Sequence, residues 1–248
     1  MKREELVDYL DRLLAPTKFK DYCPNGLQVE GRSNILTLIS GVTASLDLLQ
    51  AAVAAKADAI LVHHGYFWRG EDTRITGMKS RRIALLMHQQ INLFAYHLPL
   101  DAHPQFGNNA LLGRKLGFIE TGHFGDQDVA VQGELAQATT LNALGEKISR
   151  TLLRKPMMIG DPDKSIRRIA WCTGAAQGYF EAAIQQGVDA YITGEISEQN
   201  VHAARESGVA FIAAGHHATE RYGVQALGDH LAQKFNIQHQ FIDIENPV

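Results

Sequence analysis

The chain has 248 residues, 45% of them hydrophobic and 21% charged, a globular composition able to bury a core without staples. A net charge of −3 and a pI near 6.4 give no basic field to attract nucleic acid or an anionic membrane, so neither is an expected partner. Two cysteines, Cys23 and Cys172, make no disulfide framework, and with eleven histidines any transition-metal site must rest on imidazole and carboxylate.

The opening MKREELVDYLDRLL sets Leu6, Leu10, Leu13 and Leu14 at helical spacing and predicts a helix over 2–14. Its alternating charge is not that of a signal peptide, and no run reaches the roughly 20 apolar residues of a membrane span. A reduced, cytoplasmic setting is therefore expected. Pro24, Asn25 and Gly26 mark a tight turn inside a loop. Ile35–Ser40 reads as a buried strand ended by Gly41, Ser45 caps a helix over 45–56, and Ala59–Val62 is a second short strand. This strand–helix–strand unit predicts a parallel pair with a right-handed crossover. Helix 80–90 follows, with Lys79, Arg81 and Arg82 on its wet face, and then strand 91–96.

The pattern returns in the second half of the chain. Leu49-Gln50-Ala51-Ala52-Val53 matches Phe180-Glu181-Ala182-Ala183-Ile184, and Ala57-Asp58-Ala59-Ile60 matches Val188-Asp189-Ala190-Tyr191 at the same offset. Helix 197–207 and strand 209–214 complete the second copy, an internal duplication of an α/β unit. Between the copies, residues 125–165 carry one helix near 140–153. A helix near 218–234 and a strand over Gln240–Ile244 close the chain. The expected division is a metal-site lobe of residues 1–125 plus 208–248 and a second α/β lobe of 126–207.

Chemistry-bearing residues gather at strand ends. His63 and His64 end an apolar strand, the edge where α/β sheets collect ligands; a buried histidine with a satisfied hydrogen bond is the alternative for either. Asp101 lies in His97-Leu98-Pro99-Leu100-Asp101-Ala102-His103-Pro104, which Pro99 and Pro104 make a rigid loop rather than a helix; it could be a ligand or a cap. His216 and Glu220, four apart, share one face if the final helix includes both. Three imidazoles and two carboxylates suit Zn, Fe, Mn, Co or Ni better than Mg or Ca. Five donors exceed the needs of one catalytic zinc and fit two metals about 3.5–4 Å apart.

These segments, with Val62-His63-His64-Gly65-Tyr66-Phe67-Trp68, Gly215-His216-His217-Ala218-Thr219-Glu220, Pro24-Asn25-Gly26-Leu27-Gln28-Val29 and Ile192-Thr193-Gly194-Glu195, resemble the interacting-factor-three-like family of dinuclear-metal proteins, often called homologues of a type-two GTP cyclohydrolase I. The likeness spans the chain and is closest to the short bacterial form. It implies two interlinked α/β lobes with related mixed sheets, a ring-shaped homohexamer, and a C-terminal segment that returns to the first lobe. It also implies two divalent transition-metal ions per subunit, held by His63, His64, Asp101, His216 and Glu220, with His97 as a sixth ligand or acid/base.

Two functions compete. One is a metal-dependent hydrolase acting on a nucleotide or purine-like ring, with His97, His103 or Glu195 moving the proton; there is no Gly-rich phosphate loop. The other is a non-catalytic metal-binding ring that regulates or engages a protein partner, whose metal site would be closed by protein ligands. A ring around DNA needs a basic inner surface, and no run supplies one.

Overall fold

The computed structural model describes all 248 residues, and they divide into two compact units, Met1–Phe106 with Gly223–Glu245, and Gly107–Tyr222 with Asn246–Val248. The expected divisions stood at 125/126 and 207/208. The difference has a clear origin: residues 107–125 and 208–222 supply strands and helices to the second sheet and its core.

The first unit opens with α1 (Arg3–Leu14), which buries Leu6, Leu10 and Leu14. β1 (Gly26–Val29) follows, then β2 (Thr37–Thr43), α2 (Leu46–Ala54), β3 (Ala59–His64), α3 (Gly77–Gln89), β4 (Asn92–Ala95) and the single turn α4 (Leu98–Asp101). The Ser45 hydroxyl accepts the Leu48 N–H and starts α2 as expected. β2 does not end at Gly41. It runs on to Thr43, which pairs with His64. Gly41 is needed for space instead, because a Cβ there would lie 2.6 Å from a Leu48 methyl. The segment after His97 is a helical turn rather than a rigid loop; Pro99 sits in its first turn, where no N–H partner is lost.

The second unit holds α5 (Asn108–Leu116), β5 (Phe118–Phe124), β6 (Ala130–Thr140), α6 (Leu141–Leu152), β7 (Met157–Ile159), β8 (Ser165–Trp171), α7 (Phe180–Gln185), β9 (Ala190–Thr193), α8 (Glu198–Ser207) and β10 (Ala210–Ala213). α9 (His216–Phe235) then gives its first residues, to Tyr222, to this unit and the rest to the first, where β11 (Gln238–Phe241) closes the sheet. No helix is long and apolar enough to cross a membrane.

The two mixed sheets are related. The first runs β1-β4-β3-β2-β11 and the second β5-β6-β8-β9-β10-β7. In each, three parallel strands joined by helices carry an antiparallel edge strand beside the third: β1 on β4, and β7 on β10. The registers agree as well: Leu38 faces Ala59, and Ile169 faces Ala190, the counterparts of those two residues in the repeat. Asp58 accepts the N–H groups of Leu36 and Thr37, at 2.8 and 3.0 Å, and Asp189 accepts those of Arg167 and Arg168, at 2.9 and 2.7 Å. These carboxylates tie the start of one strand to the next at equivalent places. Asp58→Ala strands two backbone donors and is expected to cost about 2–3 kcal/mol, read as a lower urea midpoint; an unchanged midpoint would contradict the assignment.

Both faces of the central parallel strands are covered, which explains why β3, β4, β9 and β10 read as continuous apolar runs. Leu38, Leu61 and Phe94 pack under α1 and the Leu227 and Leu231 side of α9, whereas Ile39, Ile60, Val62 and Leu93 pack under α2 and α3. In the second unit Ile169, Trp171, Ile192 and Ile212 meet α5 and α6, and Tyr191 and Phe211 meet α7 and α8.

Candidate metal centre

β3 delivers His63 and His64 to the carboxyl edge of the first sheet, and β4 leads to His97 and Asp101. His63 is fully buried. Its Nδ1–H donates to the Tyr96 carbonyl at 3.0 Å, and its Nε2 lies 3.4 Å from Asp101 Oδ1. His64 Nδ1 shares a hydrogen bond with the Thr43 hydroxyl at 3.2 Å. His97 Nδ1–H donates to Asp21 Oδ1 at 2.7 Å. Ring nitrogens of His63, His64 and His97 converge within 4.8 Å of one another, a group that could hold a metal ion. The bonds at Nδ1 orient the rings so that Nε2 is the atom each would offer to a metal ion, the arrangement that metal-binding imidazoles adopt.

Asp21 and Cys23 also lie within 4.8 Å of His97, yet Asp21 is not built as a ligand. Oδ1 accepts from Tyr22 N and His97, and Oδ2 from Asn25 Nδ2 and Leu98 N, which fills its lone pairs. Burial would raise its pKa, but these hydrogen bonds and the His97 ring outweigh burial and bring it to about 2. Asp21 is the orienting partner of His97. Burial pushes the Cys23 thiol up to about 12, with the Asp21 and Asp101 charges adding to it, so at neutral pH it is a neutral, weakly nucleophilic neighbour.

In the second unit, α9 includes both His216 and Glu220. His216 Nε2 lies 3.0 Å from Glu220 Oε2, one helical turn on, and its Nδ1 lies 2.7 Å from Glu195 Oε1. Burial pulls the His216 pKa down, but the carboxylates of Glu220 and Glu195 win and hold it at about 9. Glu195 is the counterpart of His64 in the repeat and follows the equivalent strand, β9. Two glycines make room for this arm. A Cβ at Gly174 would fall 2.0 Å from Glu220 Oε1, and one at Gly194 would fall 2.5 Å from His216 Cα.

His103 is not gathered with these residues. Its Nδ1 accepts the N–H groups of Gln105 and Phe106, each at 3.1 Å, and its ring stacks on Phe106. It shapes a turn and is a poor choice for moving the proton. The parts that sequence reasoning missed are the orienting groups: Asp21, Thr43 and the Tyr96 carbonyl. Asp21 lies 76 residues from His97, and no local pattern connects them.

The sequence profile of the Duf34/NIF3 (NGG1p interacting factor 3) family matches residues 1–247. The chain belongs to this family. Within it, the chain is 55% identical to a Pseudomonas aeruginosa protein named GTP cyclohydrolase 1 type 2 homolog, over 98% of this chain and 97% of that one. Among solved structures, the protein ybgI, described as of unknown function, is 47% identical with a TM-score of 0.97, and each chain is fully covered. TTHA1606 from Thermus thermophilus is 33% identical with a TM-score of 0.91, again over the full length of both. The paired mixed sheets are thus the Duf34/NIF3 fold.

Proposed function

We propose that the chain is a dinuclear-metal-dependent hydrolase acting on a nucleotide or purine-like ring. The proposed ligands are His63, His64, Asp101, His216 and Glu220. The observation that carries this reading is the anchoring of Nδ1 in His63, His64, His97 and His216, by a carbonyl, a hydroxyl and two carboxylates. Imidazoles oriented in this way, with buried carboxylates beside them, fit Zn, Fe, Mn, Co or Ni. When bound, a pair of such ions supplies Lewis acidity and brings the pKa of water toward neutrality. The name of the Pseudomonas relative supports the nucleotide class. A ring-shaped homohexamer and a cytoplasmic setting complete the proposal, the latter supported by two buried cysteines that form no disulfide.

In this reading His97 is the proton carrier. Ionised Asp21 holds its Nδ1–H, so Nε2 keeps the lone pair that accepts a proton and later returns it. Asp21→Asn is expected to lower turnover about 10–100-fold with metal stoichiometry unchanged; wild-type turnover would remove His97 from this role. The pKa of His216 adds a pH dependence. Below about 9 the metal-free ring is protonated, so metal uptake displaces a proton and apparent affinity rises about tenfold per pH unit toward that value. A chelator-competition titration from neutral to alkaline pH reads this, and a flat profile would contradict it. The reaction itself is tested by incubating metal-loaded protein with GTP and other nucleotides. A ring-opened product that disappears in His64→Ala is expected. No product from wild type leaves the non-catalytic metal-binding ring as the better reading.

A further inference from the structure

The segment after the His63–His64 pair is held in a costly conformation. Phe67 has φ +68, a left-handed backbone that bulky side chains avoid and that concentrates at functional sites. The turn is clamped on every side. Gln28 uses its amide on both backbone groups of Tyr66, accepting the N–H at 2.7 Å and donating to the carbonyl at 3.1 Å. The Tyr66 hydroxyl donates to the Ala44 carbonyl at 2.8 Å. Gly65 is required, because a Cβ there would meet Gln28 Oε1 at 2.2 Å.

The consequence is the placement of Trp68. Its ring meets His97 edge to face at 5.0 Å and lies 5.8 Å from His64, while its indole N–H is spent on the Gly65 carbonyl. A second aromatic stands on the other segment that reaches His97. Tyr22 lies 6.4 Å from that ring and is 54% exposed. The two segments are stitched together: Arg69 N–H donates to the Tyr22 carbonyl at 2.7 Å, and its guanidinium donates to the Asp21 carbonyl and sits 5.7 Å over the Tyr22 ring. Arg69 is itself exposed.

We infer that Trp68 and Tyr22 form a stacking subsite for a planar nitrogen heterocycle, with Arg69 placed for an anionic substituent such as a phosphate. Core packing does not require an exposed tyrosine under an arginine, nor backbone strain to turn an indole onto two imidazoles. Preorganised aromatic faces bind rings of many kinds by stacking, a rigid clamp lowers the entropy lost on binding, and guanidinium suits phosphate. The inference deepens the hydrolase reading by naming the groups that recognise its ring.

The test is calorimetric binding of guanosine, adenosine, GTP and ribose 5-phosphate to metal-loaded protein, with metal content measured on the same samples. Both nucleosides are expected to bind, and ribose 5-phosphate at least about tenfold more weakly. Trp68→Leu and, separately, Tyr22→Ala are expected to weaken nucleoside binding about tenfold at unchanged metal stoichiometry. Arg69→Gln should weaken GTP more than guanosine. The subsite is overturned if neither nucleoside binds, if ribose 5-phosphate binds as tightly as guanosine, or if Tyr22→Ala and Trp68→Leu both keep wild-type affinity. Tyr22 is exposed, so its variant stays informative should Trp68→Leu fold poorly. Ring binding without hydrolysis sustains the subsite and removes the hydrolase; hydrolysis without ring binding does the reverse.

Discussion

Glu220→Ala is expected to strip metal from the protein while leaving it folded. The side chain is only 2% exposed and sits on the first turns of a 20-residue helix, where alanine is a better helix former than glutamate. What the variant loses is the carboxylate 3.0 Å from His216 Nε2. Changing only the partners of a metal ligand already costs about 10–100-fold in affinity, so removing a ligand should cost more than about 100-fold. The effect should appear as depleted metal after dialysis, by atomic spectroscopy, alongside a native circular dichroism spectrum. His64→Ala should behave in the same way. Unchanged stoichiometry in both variants would sink the ligand assignment.

Gly194→Ala carries the second large effect, and it acts through packing. The added methyl would meet His216 Cα at 2.5 Å, the Gly174 carbonyl oxygen at 2.6 Å and His216 N at 2.8 Å. All three are backbone atoms, so no side chain can swing aside. Overpacking of this kind costs about 1–3 kcal/mol, and relief requires moving the start of α9, which carries His216. The variant should lose both urea stability and metal. Gly178→Ala is the control, since its methyl meets nothing within 4 Å, and it should fall within about 0.5 kcal/mol of wild type. Equal stability of the two variants would show that the close approach at Gly194 is not a constraint.

The duplicated strand–helix–strand units were legible because buried parallel strands are uniformly apolar and the Asp-Ala pair before the second strand recurs in the second copy. The structure gives that pair its purpose in the matched roles of Asp58 and Asp189. The antiparallel parts were not legible. β5 is an edge strand with its middle residues exposed and reads Phe-Ile-Glu-Thr-Gly-His-Phe, without alternation, and β6 and β7 lie in the stretch from which only one helix was expected. β1 was hidden beside the Pro-Asn-Gly turn, and its pairing with β4 is long-range.

At the candidate centre, residue types and strand ends were visible, and so was the one-turn spacing of His216 and Glu220. Their orienting groups were not, because a hydrogen bond from His97 to Asp21 or from His63 to the Tyr96 carbonyl depends on tertiary placement. The backbone strain at Phe67 also has no signature in residue type.

His63, His64, Asp101, His216 and Glu220 are proposed to hold two divalent ions in each subunit. Anomalous diffraction from crystals of the metal-loaded protein tests this assignment most directly. Two peaks per chain are expected, about 3.5–4 Å apart, coordinated by Nε2 of the three histidines and by the Asp101 and Glu220 carboxylates. Peaks elsewhere in the chain, or coordination that bypasses either His64 or Glu220, would contradict it.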